Sequence, residues 1–224
     1  MDRRTFKLIE DYMMSCMKDS AHDREHVYRV LYNALDIAAC EKNVDMDVLV
    51  AACLLHDIGR AEQLADPSLC HAEAGGKKAY DFLLSIGFSE AFSIQVRDCV
   101  ITHRFRKSRP PKSLEAKILF DADKLDAAGA VGIARTLIYK GTVGEPLYSL
   151  TSDGKVSDGS GDEPPSFFRE YKMKLEKIYS GFYTEKGRQL AKERRDAAIS
   201  FYESLYHEVS ASRERGRSML DRML

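Results

Sequence analysis

Apolar positions recur with a helical period along nearly the whole chain. Residues 3–18 read as an amphipathic segment, and 23–41 aligns Val27, Val30, Leu31, Ala34, Leu35 and Ala38 in one stripe. Asp45-Met46-Asp47 opens a further helix, with acidic residues at its positive end. That helix is expected to close at Ile58-Gly59, with Gly59 as its C-terminal cap. Residues 71–86 and 89–103 predict two more helices, divided at Ile86-Gly87-Phe88. Pro110-Pro111 breaks the chain before one long helix over 113–140. Segment 141–166 is rich in Gly, Ser, Asp and Pro and reads as a loop. Helices over 167–180 and 185–208 follow, and the charged tail 209–224 is left as helix or frayed end. Alternating strand patterns are essentially absent, so the expected class is all-α.

The organisation expected from this pattern is a helical core (1–140), a flexible loop or insertion (141–166) and C-terminal helices (167–224) packed on the core, one domain overall. The second part needs a partner for its own stripe of Phe167, Phe168, Tyr171, Leu175 and Ile178. The 224 residues are 44% hydrophobic, which is ample material for a core. With 34 basic and 35 acidic residues the net charge is -1, which argues against a general nucleic-acid binder. Five cysteines lack CxxC spacing, and Cys40, Cys53 and Cys99 fall in apolar patterns as small core residues. There is no signal-peptide pattern at the start and no run of ~20 apolar residues. The expectation is a soluble cytoplasmic protein away from membranes, monomeric or homodimeric.

Candidate chemistry concentrates at His56-Asp57, at the end of the apolar run 48–55. A histidine and a carboxylate at the mouth of a buried segment are costly unless something neutralises them. His26 on an earlier helix and Asp123 on a later one complete the order H…HD…D, which points to a metal-dependent hydrolase. His26 shares a face with Val30 and with His22, which reads as exposed or supporting. Taken alone, His26 reads as a core histidine bonded to a carbonyl. Asp123 has Leu119, Ala127 and Ala130 on its face and points inward, where an unpaired carboxylate would have a raised pKa. Asp121, beside Lys117 and Lys124, reads as partly solvated. Asp126 is placed to orient a ligand or a water. His71 opens one helix and His103 closes another, and both are candidates to line the site. Arg104, Arg106, Lys107 and Arg109 form a basic loop that, with Lys124, suits an anionic phosphate ester.

These residues resemble the H…HD…D signature of the HD-domain metal-dependent phosphohydrolase superfamily. HDREHVYRV, LLHDIG, CHAEAGGKKA, ITHRFRKSRPPKSLEAKIL and FDADKLDAAGAVGIAR are similar to one bacterial branch of uncharacterised HD proteins. Some members of that branch are nucleoside triphosphate pyrophosphohydrolases. The resemblance runs from about residue 20 to 140 and continues weakly through TEKGRQLAKERRDAAISFYESLYHE. It implies a helical bundle around a metal, with ligands His26, His56, Asp57 and Asp123. One departure is SFFREYKMKL, which lacks a histidine that the branch often carries beside an aromatic.

Two histidines and two carboxylates suit Mn2+, Fe2+, Ni2+ or Zn2+ better than Mg2+. One ion is favoured, and His71 and His103 leave room for a second. Asp57 or Asp126 is expected to take a proton from water, and His71 or His103 to protonate the leaving oxygen. Lys124 and the Arg104–Arg109 loop would neutralise phosphoryl charge. The expected activity is hydrolysis of a nucleotide or related phosphoester, foremost a nucleoside triphosphate cleaved to monophosphate and pyrophosphate. A nucleoside monophosphate phosphatase or a cyclic-nucleotide phosphodiesterase would use the same residues. A non-catalytic metal- or nucleotide-binding regulatory module and oxidative cleavage at a di-iron site are alternatives of other classes.

Overall fold

The computed structural model describes residues 1–17, 24–104, 109–161 and 163–224. Their order is α1 (Arg3–Cys16), α2 (Arg24–Ala38), α3 (Met46–Leu55), α4 (Arg60–Ala65), α5 (His71–Ser85), α6 (Glu90–Thr102), α7 (Leu114–Asp126), α8 (Gly129–Thr142), α9 (Phe167–Met173), a 3-10 turn (Leu175–Lys177) and α10 (Glu185–Met223). Among the described residues, β pairing is limited to the isolated antiparallel bridge between Leu150 and Val156. The fold is all-helical, and no helix among the described residues is long and apolar enough to cross a membrane.

The chain forms two compact units. The first holds Met1–Asp126 and Phe182–Gly187, and the second holds Ala127–Gly181 and Arg188–Leu224.

In the first unit α3 is the central rod. Its apolar run leaves almost every side chain from Val48 to Leu55 buried, and helices α1, α2, α6 and α7 pack around it. Asp45 caps its start by accepting from the Asp47 and Val48 amides, as its acidic opening suggests. The helix stops at Leu55, and Gly59 does not act as a left-handed cap. Gly59 has φ −91° and begins the short helix α4, which periodicity did not announce. A Cβ at Gly59 would meet the His71 carbonyl oxygen at 2.1 Å and the Gly75 nitrogen at 2.5 Å. Glycine is needed there because the turn after α3 lies directly against the first turns of α5.

The long helix expected over 113–140 is two helices. α7 ends at Asp126, and Gly129 adopts φ +66° before α8 continues. Asp121 is fully buried, contrary to the expectation of partial solvation. Its carboxylate accepts from the Tyr183 and Thr184 amides and from the Thr184 hydroxyl, all on a segment about sixty residues later. Cys53 and Cys99 are buried as expected, whereas Cys40 is exposed just beyond the end of α2.

The second unit has its own core, made by Ile133 of α8, Val156, the aromatic stripe Phe167, Phe168, Tyr171 and Leu175, and Ala198 and Tyr202 of α10. Tyr171 and Tyr202 stack with ring centroids 4.0 Å apart. The stripe on 167–178 therefore finds its partners within this unit, although Ile178 is only half-buried. The charged tail is helical through Met223.

Candidate metal centre

Four histidines and two aspartates from α2, α5 and α7 and from the turns that follow α3 and α6 meet inside the first unit. His26, His56, His71, His103 and Asp57 are all buried, and Asp123 is partly open, with 29% of its side chain exposed. His56 and His103 are placed by the same local device. Each stands one residue past the last helical turn and donates from Nδ1 to the carbonyl three residues back. Those bonds are His56 to Cys53 at 2.7 Å and His103 to Val100 at 2.6 Å. His26 donates Nδ1–H to Asp126 at 2.7 Å, and Arg29 grips the same carboxylate with two nitrogens at 2.7 and 3.1 Å. His71 donates Nδ1–H to the Gln63 side-chain oxygen at 2.6 Å. Asp126 is thus the hydrogen-bond partner that fixes the His26 ring.

Every Nδ1 proton is committed outward, so each neutral imidazole turns an Nε2 lone pair inward. Burial drives the His56 pKa down to about 4. Burial, reinforced by Arg60, takes His71 down to about 2. Asp57 sits well below the usual carboxylate range. Burial alone would raise it, but the Arg60 guanidinium beside it favours its charged form.

The inward atoms form two groups. His26, His56 and Asp123 make one, and Asp57, His71 and His103 the other. In the first, His26 Nε2 lies 3.2 Å from His56 Nε2 and 3.5 Å from Asp123 Oδ1. In the second, His71 Nε2 and His103 Nε2 each lie 3.5 Å from Asp57 Oδ1. Asp57 also joins the first group, because its Oδ2 lies 3.5 Å from His26 Nε2 and 3.7 Å from His56 Nε2. Two ligand atoms at tetrahedral positions around a metal are separated by about 3.4 Å when each bond is about 2.1 Å. The spacings match.

Lone pairs and carboxylate oxygens facing one another at this distance repel unless a cation lies among them. Asp57 Oδ2 and His71 Nε2 are buried without a hydrogen-bond partner. The donor set fits a divalent metal: His26, His56, Asp57 and Asp123 in one half, and Asp57, His71 and His103 in the other.

The remaining sequence candidates are dispersed. The Lys124 ammonium lies 4.8 Å over the Phe182 ring and 5.5 Å over the Phe120 ring, and burial lowers its pKa. Arg104 directs one nitrogen toward Cys70 Sγ at 3.9 Å, and its charge reaches the neighbouring His71. Arg109 pairs with Glu73 at 2.7 Å on the surface. Arg106, Lys107 and His22 lie outside the described residues. Three residues that hold the cluster were missed from sequence. These are Arg60, whose Nε donates to Asp57 Oδ1 at 3.0 Å, together with Arg29 and Gln63. An arginine following HDIG is the sole trace that Arg60 leaves in the sequence.

The fold and this His/Asp cluster place the chain in the HD domain family, whose match spans residues 24–128, and it carries the metal-site residues of an HD superfamily hydrolase. Among curated sequences it is similar to the uncharacterized protein YpgQ of Bacillus subtilis (strain 168), 30% identical over 207 residues that cover 90% of this chain and 92% of YpgQ. Among solved structures it is similar to B. subtilis YpgQ in complex with ADP, with TM-score 0.71, 26% identity, and coverage of 91% of this chain and 97% of that one. A predicted HD superfamily hydrolase from an uncultured Thermotogales bacterium matches with TM-score 0.61 and 31% identity, covering 90% and 91% of the two chains.

Proposed function

We propose that the protein is a metal-dependent phosphohydrolase acting on nucleotides, and that it cleaves a nucleoside triphosphate to the monophosphate and pyrophosphate. The observation that carries this reading is the convergence of His26, His56, Asp57 and Asp123 with every Nδ1 proton turned outward. The ADP complex of the YpgQ relative supports a nucleotide ligand. Arg60 and Arg104 stand beside the cluster as partners for phosphate oxygens.

His26, His56, Asp57 and Asp123 would hold the metal. A divalent cation there supplies Lewis acidity toward a phosphoryl oxygen and toward water. The ligand set suits Mn2+, Fe2+, Ni2+ or Zn2+. The chain's own groups do the rest. Water adds to the α-phosphorus, and the α–β bridging oxygen leaves with pyrophosphate. His71 and His103 face the cluster with lone pairs, so each accepts a proton from the attacking water first. Either can return that proton to the leaving oxygen only after it has taken it up. Asp126 fixes His26 through Nδ1 and makes no direct contact with substrate in this scheme. Arg60 and Arg104 balance charge on the phosphate chain.

Phosphorus NMR of the products tests the reading. Metal-stripped protein is supplied with Mn2+ and a mixture of nucleoside tri- and monophosphates. Pyrophosphate from the intact protein, absent with Asp57→Ala, is the expected result. Orthophosphate released from monophosphates would move the assignment to a nucleotidase. No product from any nucleotide would favour a binding module.

A further inference from the structure

The two halves of the cluster are not equivalent. The first half draws on two carboxylates, Asp57 and Asp123, and its His26 is backed by a third, Asp126. The second half has only the shared Asp57, and its His71 is backed by the neutral amide of Gln63. A cationic group already sits on the oxygen that the second half needs. Arg60 Nε lies 3.0 Å from Asp57 Oδ1, the same atom that His71 and His103 face at 3.5 Å. The charges of Arg60 and Arg104 both reach His71.

We propose that the Arg60 guanidinium takes the place of a second cation, so that this protein works as a one-metal centre with an arginine in the Asp57/His71/His103 half. The inference rests on the metal-centre reading above and refines it.

The physical argument is one of charge. A divalent ion placed beside Asp57 Oδ1, His71 and His103 would lie next to a guanidinium and close to the first metal. In that half the shared Asp57 is the one carboxylate that would face both the second ion and the guanidinium. Arg60 satisfies Oδ1 at no cost in a second ion. It also leaves the lone pairs of His71 and His103 free of metal, and therefore able to handle protons at the reacting phosphate. The Arg60 side chain is 29% exposed and arises from the short helix α4, so the charge it brings lies at the open side of Asp57.

The test is metal stoichiometry, read by calorimetric titration of Mn2+ into metal-stripped protein and by the electron paramagnetic resonance spectrum of the loaded sample. The wild type is expected to take one tight ion and to show an uncoupled Mn2+ spectrum. Arg60→Met is expected to bind a second ion about 10- to 100-fold more tightly than the wild type, with a spin-coupled pair in the spectrum. Arg60→Lys keeps a charge and is expected to follow the wild type. Adding His71→Ala to Arg60→Met should remove the second ion and leave the first. Two equally tight ions in the wild type, or one ion in both wild type and Arg60→Met, would overturn the role of Arg60 while the metal centre stands. Absence of any Mn2+ binding by the wild type would overturn the metal centre and this inference with it.

Discussion

Each of the four site histidines has one ring nitrogen tied to a carbonyl, a carboxylate or an amide, and this decides what the other nitrogen can do. The anchors differ in strength. The Asp126 anchor is a carboxylate clamped by Arg29, the kind of partner that strengthens a ligating imidazole. Asp126→Ala is accordingly expected to weaken Mn2+ binding about 10- to 100-fold. A titration against a metal-sensitive dye checks this, and unchanged affinity would remove Asp126 from the centre. The candidate ligands, which the fold brings together, were legible because a His-Asp pair at the end of eight apolar residues has few bland explanations. The supports were not. Arg60, Arg29 and Gln63 matter only through acceptors that the fold brings near, and nothing in their sequence positions marks them. Asp121 was misread for the same reason. Its lysine neighbours suggested water, but the Tyr183–Thr184 backbone supplies its partners.

The helices deliver these side chains through a few close approaches. The turn after α3 reaches α5 because Gly59 and Gly75 both lack side chains, and this contact sets His71 beside Asp57. Gly59→Ala would drive a Cβ into backbone atoms, which have no rotamer to yield. It is expected to cost about 3 kcal/mol or more of stability and to lower the melting temperature measured by calorimetry. A melting temperature within a degree of wild type would show that the contact is slack. Thr184 begins α10 by accepting from the Gly187 amide while its hydroxyl donates to Asp121. Thr184→Val keeps the shape and removes both bonds, for an expected loss of about 1–3 kcal/mol by denaturant titration. Helix existence was readable from periodicity. The break between α7 and α8 was not, since Gly129 lies in a continuous helical pattern and the two helices are separated by the extended Ala128 and the positive φ of Gly129. The six-residue α4 is too short for its periodicity to register.

Taken as a molecule, the chain divides its apolar material between two cores. The first surrounds α3 and carries the His/Asp cluster, and the second is built on aromatic stacking around Phe168, Tyr171 and Tyr202. The all-α class could be read from the absence of alternation. The second core could not, because Val156 and Tyr202 join the aromatic stripe from segments whose patterns gave no sign of one another. A metal held by ligands from α2, α3 and α7 binds the folded state alone. Mn2+ at about 100 times its dissociation constant is therefore expected to add about 2.7 kcal/mol of stability, seen as a higher melting temperature that a chelator reverses. His56→Ala should abolish that shift. A shift that survives the substitution would place the ion elsewhere.

The most direct measurement is an anomalous-scattering map from crystals of the protein grown with Mn2+. One strong peak within bonding distance of His26 Nε2, His56 Nε2, Asp57 and Asp123, with Arg60 still on Asp57 Oδ1, is the expected result. A map with no peak at these residues, or with its peak at a different set of side chains, would contradict the metal centre and the hydrolase chemistry built upon it.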